Sequence, residues 1–367
     1  MSPVVPRAAL ASLPAYVAGQ PPTAVEGLEA YKLSSNENPW GPVDAARAAI
    51  AEAAQRVHRY PDPAATPLRG RIARQLEVPV EDIVAGAGSL GALTQIVQAF
   101  AGTGSDGTGD EVVYAWRSFE AYPIVVGTAG ATSVQVPNLP DGSHDLEAML
   151  EAITDRTRIV VLCTPNNPTG PSLSQDQVED FLTRLPEGIL VVLDEAYLEF
   201  QEDPEAVEGV RTYREHPQVV VLRTFSKAQG LAGLRVGYSI SQSPITESLR
   251  KVATTFAVTE IAQAAAIASI EHPEQVRERV ERIVAERERV LARLQELGWW
   301  VPRTRANFVW LPLGDHSQRF AQVCAQHALS VRAFPEGVRV SIDVPQANDR
   351  FLEICADFSP ATRRVSS

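Results

Sequence analysis

Short runs of apolar residues alternate with amphipathic stretches along most of the chain. Seven runs have the length and the β-branched content of buried strands, and they cover residues 82–86, 111–116, 132–137, 158–163, 189–195, 218–224 and 235–240. Between them lie helical patterns such as "LGALTQIVQAF", in which Leu93, Val97 and Phe100 share one face. Nearly continuous Val, Ile and Leu strands separated by helices predict an α/β fold with a largely parallel sheet that is covered on both faces.

The pattern changes after about residue 245. The segment "PEQVRERVERIVAERERVLARLQELG" predicts one long, charge-rich helix that ends at Gly298, and "NFVWLPL" and "GVRVSI" are typical of strands in a smaller α+β unit. The opening residues are rich in Pro and Ala, and we expect an arm that packs back on this second unit. The predicted division is therefore an arm with part of the small domain (1–40), a large domain (41–245) and a small C-terminal domain (246–367).

Composition limits the possible classes of protein. A formal net charge of −12 argues against binding to nucleic acid or to an anionic membrane face, which both require a basic surface. Cys163, Cys324 and Cys355 lie far apart, so they predict neither a disulfide framework nor a metal site. The first residues are interrupted by prolines, unlike a signal peptide, and no apolar run approaches the roughly 18 residues of a membrane helix. We expect a cytoplasmic protein.

The segment "GAGSLG" (86–91) follows a predicted strand and opens a helix, as a dinucleotide-binding G-x-G-x-x-G motif does. The acid that such a motif needs should end the next strand, but Asp110 and Glu111 begin theirs. A weaker interpretation is that Gly88 and Ser89 form a cup for a phosphate at the helix N-terminus. A plain tight turn between strand and helix is the alternative.

Polar residues follow three of the predicted strands. Asn167 lies in "TPNNPTG", Asp194 ends the strand in "VVLDEAY" with Tyr197 three residues later, and Lys227 follows "QVVVLRT". Spacings of 27 and 33 residues between Asn167, Asp194 and Lys227 suit strand–helix–strand steps, which bring the strand ends to one sheet edge. Each residue alone has an ordinary explanation, as an Asn-Pro turn, a helix cap or a surface lysine. Together with the phosphate cup they fit one cofactor, pyridoxal 5'-phosphate (PLP).

The chemistry of PLP requires these residue types. Lys227 would form a Schiff base with the aldehyde, and burial together with Arg235 would lower its pKa and keep the amine neutral. Asp194 would keep the pyridine nitrogen protonated, so that the ring draws electrons from the substrate. Asn167 and Tyr197 would hydrogen-bond the ring's phenolate oxygen. The residues assigned to the phosphate end of the cofactor are Gly88, Ser89, Leu90, Thr224, Ser226 and Arg235.

The chain resembles the fold-type I, aspartate-aminotransferase-like PLP enzymes, and among them the histidinol-phosphate aminotransferase subfamily, closest to its actinobacterial aromatic (phenylalanine) branch. The segments that carry the resemblance span nearly the whole length and include "KLSSNENPWGP", "RYPDP", "AGAGS", "TPNNPTG", "DEAY", "RTFSKAQGLAGLRVGY", "NFVWLPL" and "GVRVSI". The resemblance implies a large domain with a mostly parallel seven-stranded sheet, a small α+β domain and a homodimer. It also implies that Phe119 stacks on the cofactor ring and that Tyr60 reaches the cofactor phosphate of the neighbouring subunit.

The same resemblance points to the substrate-binding residues. Arg339 in "GVRVSI" matches the family's substrate arginine, and Asn38 is a further candidate. Arg332 in "SVRAF" is either a second cation for the substrate or an ordinary surface arginine. The loop "AFPEGV" between the two arginines is shorter than in histidinol-phosphate enzymes. The aromatic residues that we expect as apolar walls of the pocket are Trp40, Phe119, Tyr122 and Phe256.

We therefore predict a ping-pong aminotransferase that acts on phenylalanine, tyrosine and tryptophan with 2-oxoglutarate, and histidinol phosphate is the alternative substrate. A decarboxylase of amino-acid phosphates on the same scaffold would keep every cofactor residue, so the cofactor motifs do not separate it. A regulator that binds the cofactor without catalysis would need a DNA-binding appendage, for which we expect no room before residue 30.

Overall fold

The computed structural model describes residues 3–11, 13–104 and 107–358. Its strands, in chain order, are β1 (Tyr31–Lys32), β2 (Ile83–Gly86), β3 (Glu111–Trp116), β4 (Thr132–Pro137), β5 (Thr157–Cys163), β6 (Leu190–Asp194), β7 (Val219–Thr224), β8 (Gly237–Ile240), β9 (Phe308–Leu311), β10 (Leu329–Ser330), β11 (Arg332–Ala333) and β12 (Val338–Ser341). The α-helices are α1 (Asp44–Ala53), α2 (Thr66–Leu76), α3 (Gly88–Phe100), α4 (Tyr122–Ala129), α5 (Leu146–Glu151), α6 (Gln175–Arg184), α7 (Gly209–Glu215), α8 (Ser243–Val252), α9 (Glu260–Glu271), α10 (Pro273–Glu296), α11 (Ser317–Gln326) and α12 (Pro345–Asp357). The seven strands predicted for the large sheet are confirmed, with bounds that differ by at most two residues at either end.

Strands β2 to β8 form one seven-stranded sheet in the order β2-β8-β7-β6-β5-β3-β4. Strand β8 runs antiparallel to both of its neighbours, and the other neighbouring pairs are parallel. This confirms the predicted α/β class with a mostly parallel central sheet. The sheet joins strands that are far apart in sequence, so its carboxyl edge collects loops from several segments of the chain.

Both faces of this sheet are buried, as the continuous apolar strands predict. Successive residues of a strand point to opposite faces. Val160 and Val191 accordingly belong to one hydrophobic core, while Val161 and Val192 belong to another that includes residues of α3 and α4. The face to which the last residue of each strand points can therefore be inferred by counting alternate residues back along that strand.

The C-terminal part contains a second, smaller sheet. Strands β11, β12 and β9 form it in that order, and both pairings are antiparallel. Strand β1 of the N-terminal arm pairs in parallel with β10, so this end of the arm packs on the C-terminal part. Residues 8–10 of the arm instead contact α4. The long predicted helix is α10, which begins at Pro273 and is followed by Gly298 with a φ of 80°.

Helices α8 and α9 lie between the two sheets in sequence. Helix α8 packs against α3 and β2, and α9 packs against α1 and α2. The division near residue 245 stays a prediction, because both of these helices lie beyond it and still contact elements of the predicted large domain. Across residues 3–11, 13–104 and 107–358, every helix is too short or too polar to cross a bilayer.

Candidate active site

Three neighbouring strands end beside one cavity of about 290 Å³. Cys163 at the end of β5 pairs in register with Asp194 at the end of β6, and Thr224 ends the next strand, β7. All three lie two residues beyond core positions on the face covered by α3 and α4, which follows from the alternation along each strand. The residues predicted from sequence that line the cavity are Ser89, Leu90, Phe119, Asn167, Asp194, Tyr197, Thr224, Ser226, Lys227, Arg235, Arg332 and Arg339.

The amine of Lys227 lies inside this cavity. Its Nζ donates hydrogen bonds to the backbone oxygens of Ser35 (3.2 Å) and Asn36 (3.3 Å). Burial lowers the pKa of Lys227 from 10.5 to about 7, and the positive charges of Arg339 and, more weakly, Arg235 act in the same direction. The sequence predicted a lowered pKa with Arg235 as the neighbouring cation, but the arginine with the larger effect is Arg339. A substantial fraction of the amine is therefore neutral near pH 7, as a nucleophilic lysine requires.

Asp194 is buried, with 4% of its surface exposed. Its Oδ2 accepts a hydrogen bond of 2.7 Å from the hydroxyl of Tyr122, while its buried Oδ1 has no partner within the described part of the chain. Burial raises the pKa of Asp194 to about 6, although the hydrogen bond from Tyr122 opposes the rise. A buried carboxylate oxygen without a donor is costly unless a cationic group meets it. This oxygen fits the N–H of a protonated ring nitrogen.

Tyr122 and Asn36 are partners of the site that the sequence did not identify. We expected Tyr122 as an apolar wall, but it stands at the start of α4 and its hydroxyl holds Asp194. The side chain of Asn36 donates to the hydroxyl of Tyr197 (2.9 Å), and its Oδ1 accepts from Ser341 (2.9 Å). The available signal was that Asn36 lies in "SSNEN", where asparagine suits a residue with a φ of 53°.

Arg339 and Asn167 are hydrogen-bonded to each other inside the cavity. Arg339 Nη1 donates to Asn167 Oδ1 (2.6 Å), and Nη2 donates to the backbone oxygen of Ser34 (2.7 Å). Arg339 Nε is buried and has no partner among residues 3–11, 13–104 and 107–358. Burial also lowers the pKa of Arg339 from its ordinary value. The guanidinium is thus held by two hydrogen bonds, and its buried Nε remains without a partner.

Two glycines allow the N-terminus of α3 to approach the sheet and Arg235. A Cβ on Gly237 in β8 would lie 2.5 Å from the backbone nitrogen of Ser89, and a Cβ on Gly88 would lie 2.5 Å from Arg235 Nη2. Gly88 also has a φ of 75°, which other residues rarely adopt. Ala87, which precedes the helix, provides no side-chain cap for the first-turn amides. The helix end is built to present backbone amides, as an anion site requires.

Hydroxyl groups and a guanidinium complete this end of the cavity. The side chain of Thr224 donates to Ser226 Oγ (2.9 Å), and Arg235 Nη1 donates to the same Oγ (3.3 Å). With the first turn of α3, these groups form a cluster of donors that fits a phosphate.

Some sequence-predicted residues are arranged differently from the expectation. Arg332 lines the cavity, but its guanidinium is paired with Glu120, at 2.8 Å between Nη2 and Oε2. Asn38 does not line the cavity, because its amide donates to the backbone oxygen of Ala228 (2.9 Å) and its Oδ1 accepts from the backbone of Trp40 (3.0 Å). A short polar side chain close to a turn often bonds the backbone in this way. The role of Asn38 as a substrate ligand stays a prediction.

The expected aromatic walls are also only partly present. Phe119 lines the cavity, whereas Trp40, Tyr122 and Phe256 do not. Tyr60 lies outside the cavity of its own chain, is 84% exposed and stacks on Phe256 with ring centroids 4.7 Å apart. The aromatic residues of the cavity that the sequence missed are Tyr16 in the arm and Phe334 within the short "AFPEGV" loop.

The chain belongs to the class I and II aminotransferases, since the model of that family matches residues 29–353. Relatives named aromatic amino acid aminotransferase include one from Streptomyces avermitilis with 50% identity, covering 96% of this chain and 97% of the relative. Another, from Thermobifida fusca, is 51% identical and covers 96% of both chains.

Solved structures with the same fold lead to the same family. Histidinol-phosphate aminotransferase from Sinorhizobium meliloti, solved with PLP, has a TM-score of 0.83 and 28% identity over 90% of this chain and 91% of that one. A single mutant of aspartate aminotransferase from Thermus thermophilus has a TM-score of 0.80 and 25% identity over 90% and 92% of the two chains. The protein is thus an aminotransferase with an aspartate-aminotransferase-like fold and PLP as its cofactor. The lysine with a lowered pKa, the unpartnered Asp194 oxygen and the anion-binding helix end all fit that cofactor.

Proposed function

We propose that the protein transfers the amino group of aromatic amino acids to 2-oxoglutarate by a ping-pong mechanism. The observation that carries the proposal is the difference between the two arginines of the cavity. Arg339 is buried and keeps an unpartnered Nε, whereas both carboxylate oxygens of Glu120 accept hydrogen bonds from Arg332. One cation is therefore open to a substrate, which suits the single α-carboxylate of an aromatic amino acid.

The apolar part of the cavity supports an aromatic side chain in the substrate. Tyr16, Leu90, Phe119 and Phe334 line it together with the groups already described. Aromatic side chains provide large apolar contact area and defined stacking geometries for a ring. The names of the relatives from Streptomyces avermitilis and Thermobifida fusca agree with this choice.

Each predicted residue has a proposed role toward the cofactor. When bound, PLP supplies an aldehyde that condenses with amines and a protonated ring that accepts electrons from the substrate. Lys227 would bind the cofactor covalently, and its free Nζ, with a pKa of about 7, would move a proton to and from the substrate near neutral pH. Asp194 would hold the ring nitrogen, Asn167 and Tyr197 would hold the ring oxygen, and Phe119 would stack on the ring. The residues that would hold the phosphate are Gly88, Ser89, Leu90, Thr224, Ser226 and Arg235.

A homodimer is part of the proposal. Tyr60 is exposed in the single chain. Val57, three residues earlier in sequence, is 66% exposed, and Phe256, which stacks on Tyr60, is 39% exposed. Exposed apolar and aromatic side chains grouped in this way are typical of an interface. We propose that Tyr60 crosses it and reaches the partner subunit's cofactor. Three buried, unpaired cysteines agree with a location in the cytoplasm.

Histidinol phosphate remains the second candidate substrate, because Arg332 and Arg339 both line the cavity and a phosphate would suit two cations. The deciding experiment offers the wild-type holoenzyme one amino donor at a time and follows the cofactor spectrum and the keto product. Phenylalanine, tyrosine and tryptophan should react with higher kcat/KM than histidinol phosphate. A preference for histidinol phosphate would contradict the proposal, and release of carbon dioxide instead of amino transfer would identify a decarboxylase.

The role of Arg339 can be tested in the same assay. Arg339→Lys keeps the charge but loses the planar fork, so carboxylate substrates should lose about 30- to 1,000-fold in kcat/KM, or about 2–4 kcal/mol. Histidinol phosphate should lose less, because a phosphate accepts a point charge. Equal losses for both substrates would contradict the assignment of Arg339 to the α-carboxylate.

A further inference from the structure

Glu120 and Arg332 form an ion pair within the cavity that holds the substrate. Arg332 Nη2 lies 2.9 and 2.8 Å from the two carboxylate oxygens of Glu120, and Nε lies 3.1 Å from Oε2. The side chain of Arg332 is 12% exposed and that of Glu120 is 28% exposed, so solvent screens the attraction between them only partly. A fourth contact, 3.5 Å long, runs from Arg332 Nη1 to the backbone oxygen of Ala18. The donors of Arg332 are thus directed at groups of the protein itself.

A second ion pair joins the same two segments of the chain without facing the cavity. Arg117 donates through Nε (3.0 Å) and Nη2 (2.9 Å) to the two carboxylate oxygens of Glu336. Neither residue lines the cavity. Both pairs connect the segment after β3 to the segment 332–338. In the inner pair the acid, Glu120, follows β3, whereas in the outer pair the arginine, Arg117, follows β3. The outer pair therefore provides a matched control for the inner one.

The carboxylate of Glu120 already accepts the Nε and Nη2 donors of Arg332, with which a second anionic group of a substrate would have to pair. A carboxylate at the far end of a substrate must displace Glu120 from Arg332, and so must a phosphate that contacts Arg332 as well as Arg339. The displaced acid is then left partly buried without its partner. An aromatic side chain requires no displacement, because its ring can pack against Phe334, and Arg332 lies 5.4 Å from the centre of that ring.

We propose that Glu120 is a specificity-determining residue that binds Arg332 in place of a substrate anion and thereby disfavours substrates whose distal carboxylate or phosphate would pair with Arg332. This inference rests on the proposed aromatic aminotransferase function. It also implies that the dicarboxylate 2-oxoglutarate enters against the resistance of Glu120, so that neutralising this acid improves the use of the acceptor.

The test compares full-length holoenzyme variants in the amino-donor half-reaction. For Glu120→Gln, the kcat/KM ratios of glutamate to phenylalanine and of histidinol phosphate to phenylalanine should each rise at least about tenfold, which equals about 1.4 kcal/mol. In the full reaction with phenylalanine as donor, the KM for 2-oxoglutarate should fall in the same variant. Glu120→Asp keeps the charge, and its ratios should stay within about threefold of the wild type.

Two further variants make the outcome specific. Glu336→Gln breaks the outer pair only, so its ratios should stay within about twofold of the wild type. Arg332→Gln leaves Glu120 without its cation, so both ratios should fall, and the double variant with Glu120→Gln should lose the gain of the single one. Arg332→Gln also provides a second test of the inference if Glu120→Gln does not fold.

The results separate this inference from the proposed function. A wild-type enzyme that prefers histidinol phosphate to every aromatic amino acid overturns the proposed function, whatever the variants do. A wild-type preference for aromatic donors, with unchanged ratios in a folded, PLP-loaded Glu120→Gln enzyme, overturns the role of Glu120 alone. An equal rise in Glu336→Gln also overturns it, because the effect would then come from loosening the two segments.

Discussion

The buried carboxylate of Asp194 should make the cofactor-free protein less stable than its Asp194→Asn variant. Burial raises the pKa of this group from 3.8 to about 6. This rise of about two pH units corresponds to a cost of about 3 kcal/mol for the ionised group, at about 1.4 kcal/mol per unit. The amide of asparagine is neutral and can still accept the hydrogen bond from Tyr122, so the variant avoids this cost.

The sign of the pH dependence follows from the raised pKa. Between pH 3.8 and about 6 the folded protein binds more protons at Asp194 than the unfolded chain does, so the contribution of this group to stability falls as the pH rises. The advantage of Asp194→Asn should therefore be absent below about pH 4, reach about half its full size near pH 5 and be complete above about pH 6.

Urea unfolding of the cofactor-free proteins, followed by circular dichroism, measures this difference. Tyr122→Phe is the matched control: it removes the hydrogen bond that partly offsets burial, so the cofactor-free protein should become less stable. In the holoenzyme we expect the wild type to be the more active protein, although it is the less stable one without cofactor. Asp194→Asn should no longer keep the ring nitrogen protonated, so its transamination should slow by several orders of magnitude.

Two results would refute this reasoning. Equal stability of wild type and Asp194→Asn at every pH would show that the carboxylate carries no burial cost. A transamination rate that stays within about tenfold of the wild type would show that Asp194 does not govern the ring nitrogen.

Two further predictions concern Lys227 and Tyr60. The rate at which cofactor-free protein captures PLP should rise with pH through a midpoint at about 7, since the neutral amine of Lys227 is the reacting form. A midpoint near 10.5 would contradict the lowered pKa. Borohydride labelling should map to Lys227 and be lost in Lys227→Ala. Tyr60→Phe should weaken PLP binding. Mixing it with Lys227→Ala should yield hybrid dimers with about half of the wild-type activity, because both lesions fall in one of the two sites; no recovery after proven subunit exchange would place Tyr60 in its own subunit's site.

Much of the fold followed from local pattern and chain direction. Buried strands have to be continuously apolar, and parallel strands have to end at the same edge, so strand positions and the meeting of Asn167, Asp194 and Lys227 could be predicted without coordinates. The alternation along each strand likewise determined that Asp194 and Thr224 face the same side. These properties depend on residues close in sequence, which is why the sequence alone determined them.

The partners of the charged groups were decided only by the tertiary structure. Arg332 and Glu120 are 212 positions apart, and the sequence offered no means of deciding that this arginine would be neutralised while Arg339 stayed open. In the same way, Asn36 and not Asn38 donates a hydrogen bond to the hydroxyl of Tyr197. Arg339 also affects the pKa of Lys227 more than Arg235 does, although Arg235 is closer in sequence. The choice among possible partners depends on distances and burial that arise when separate segments pack together. Local pattern carries little information about them.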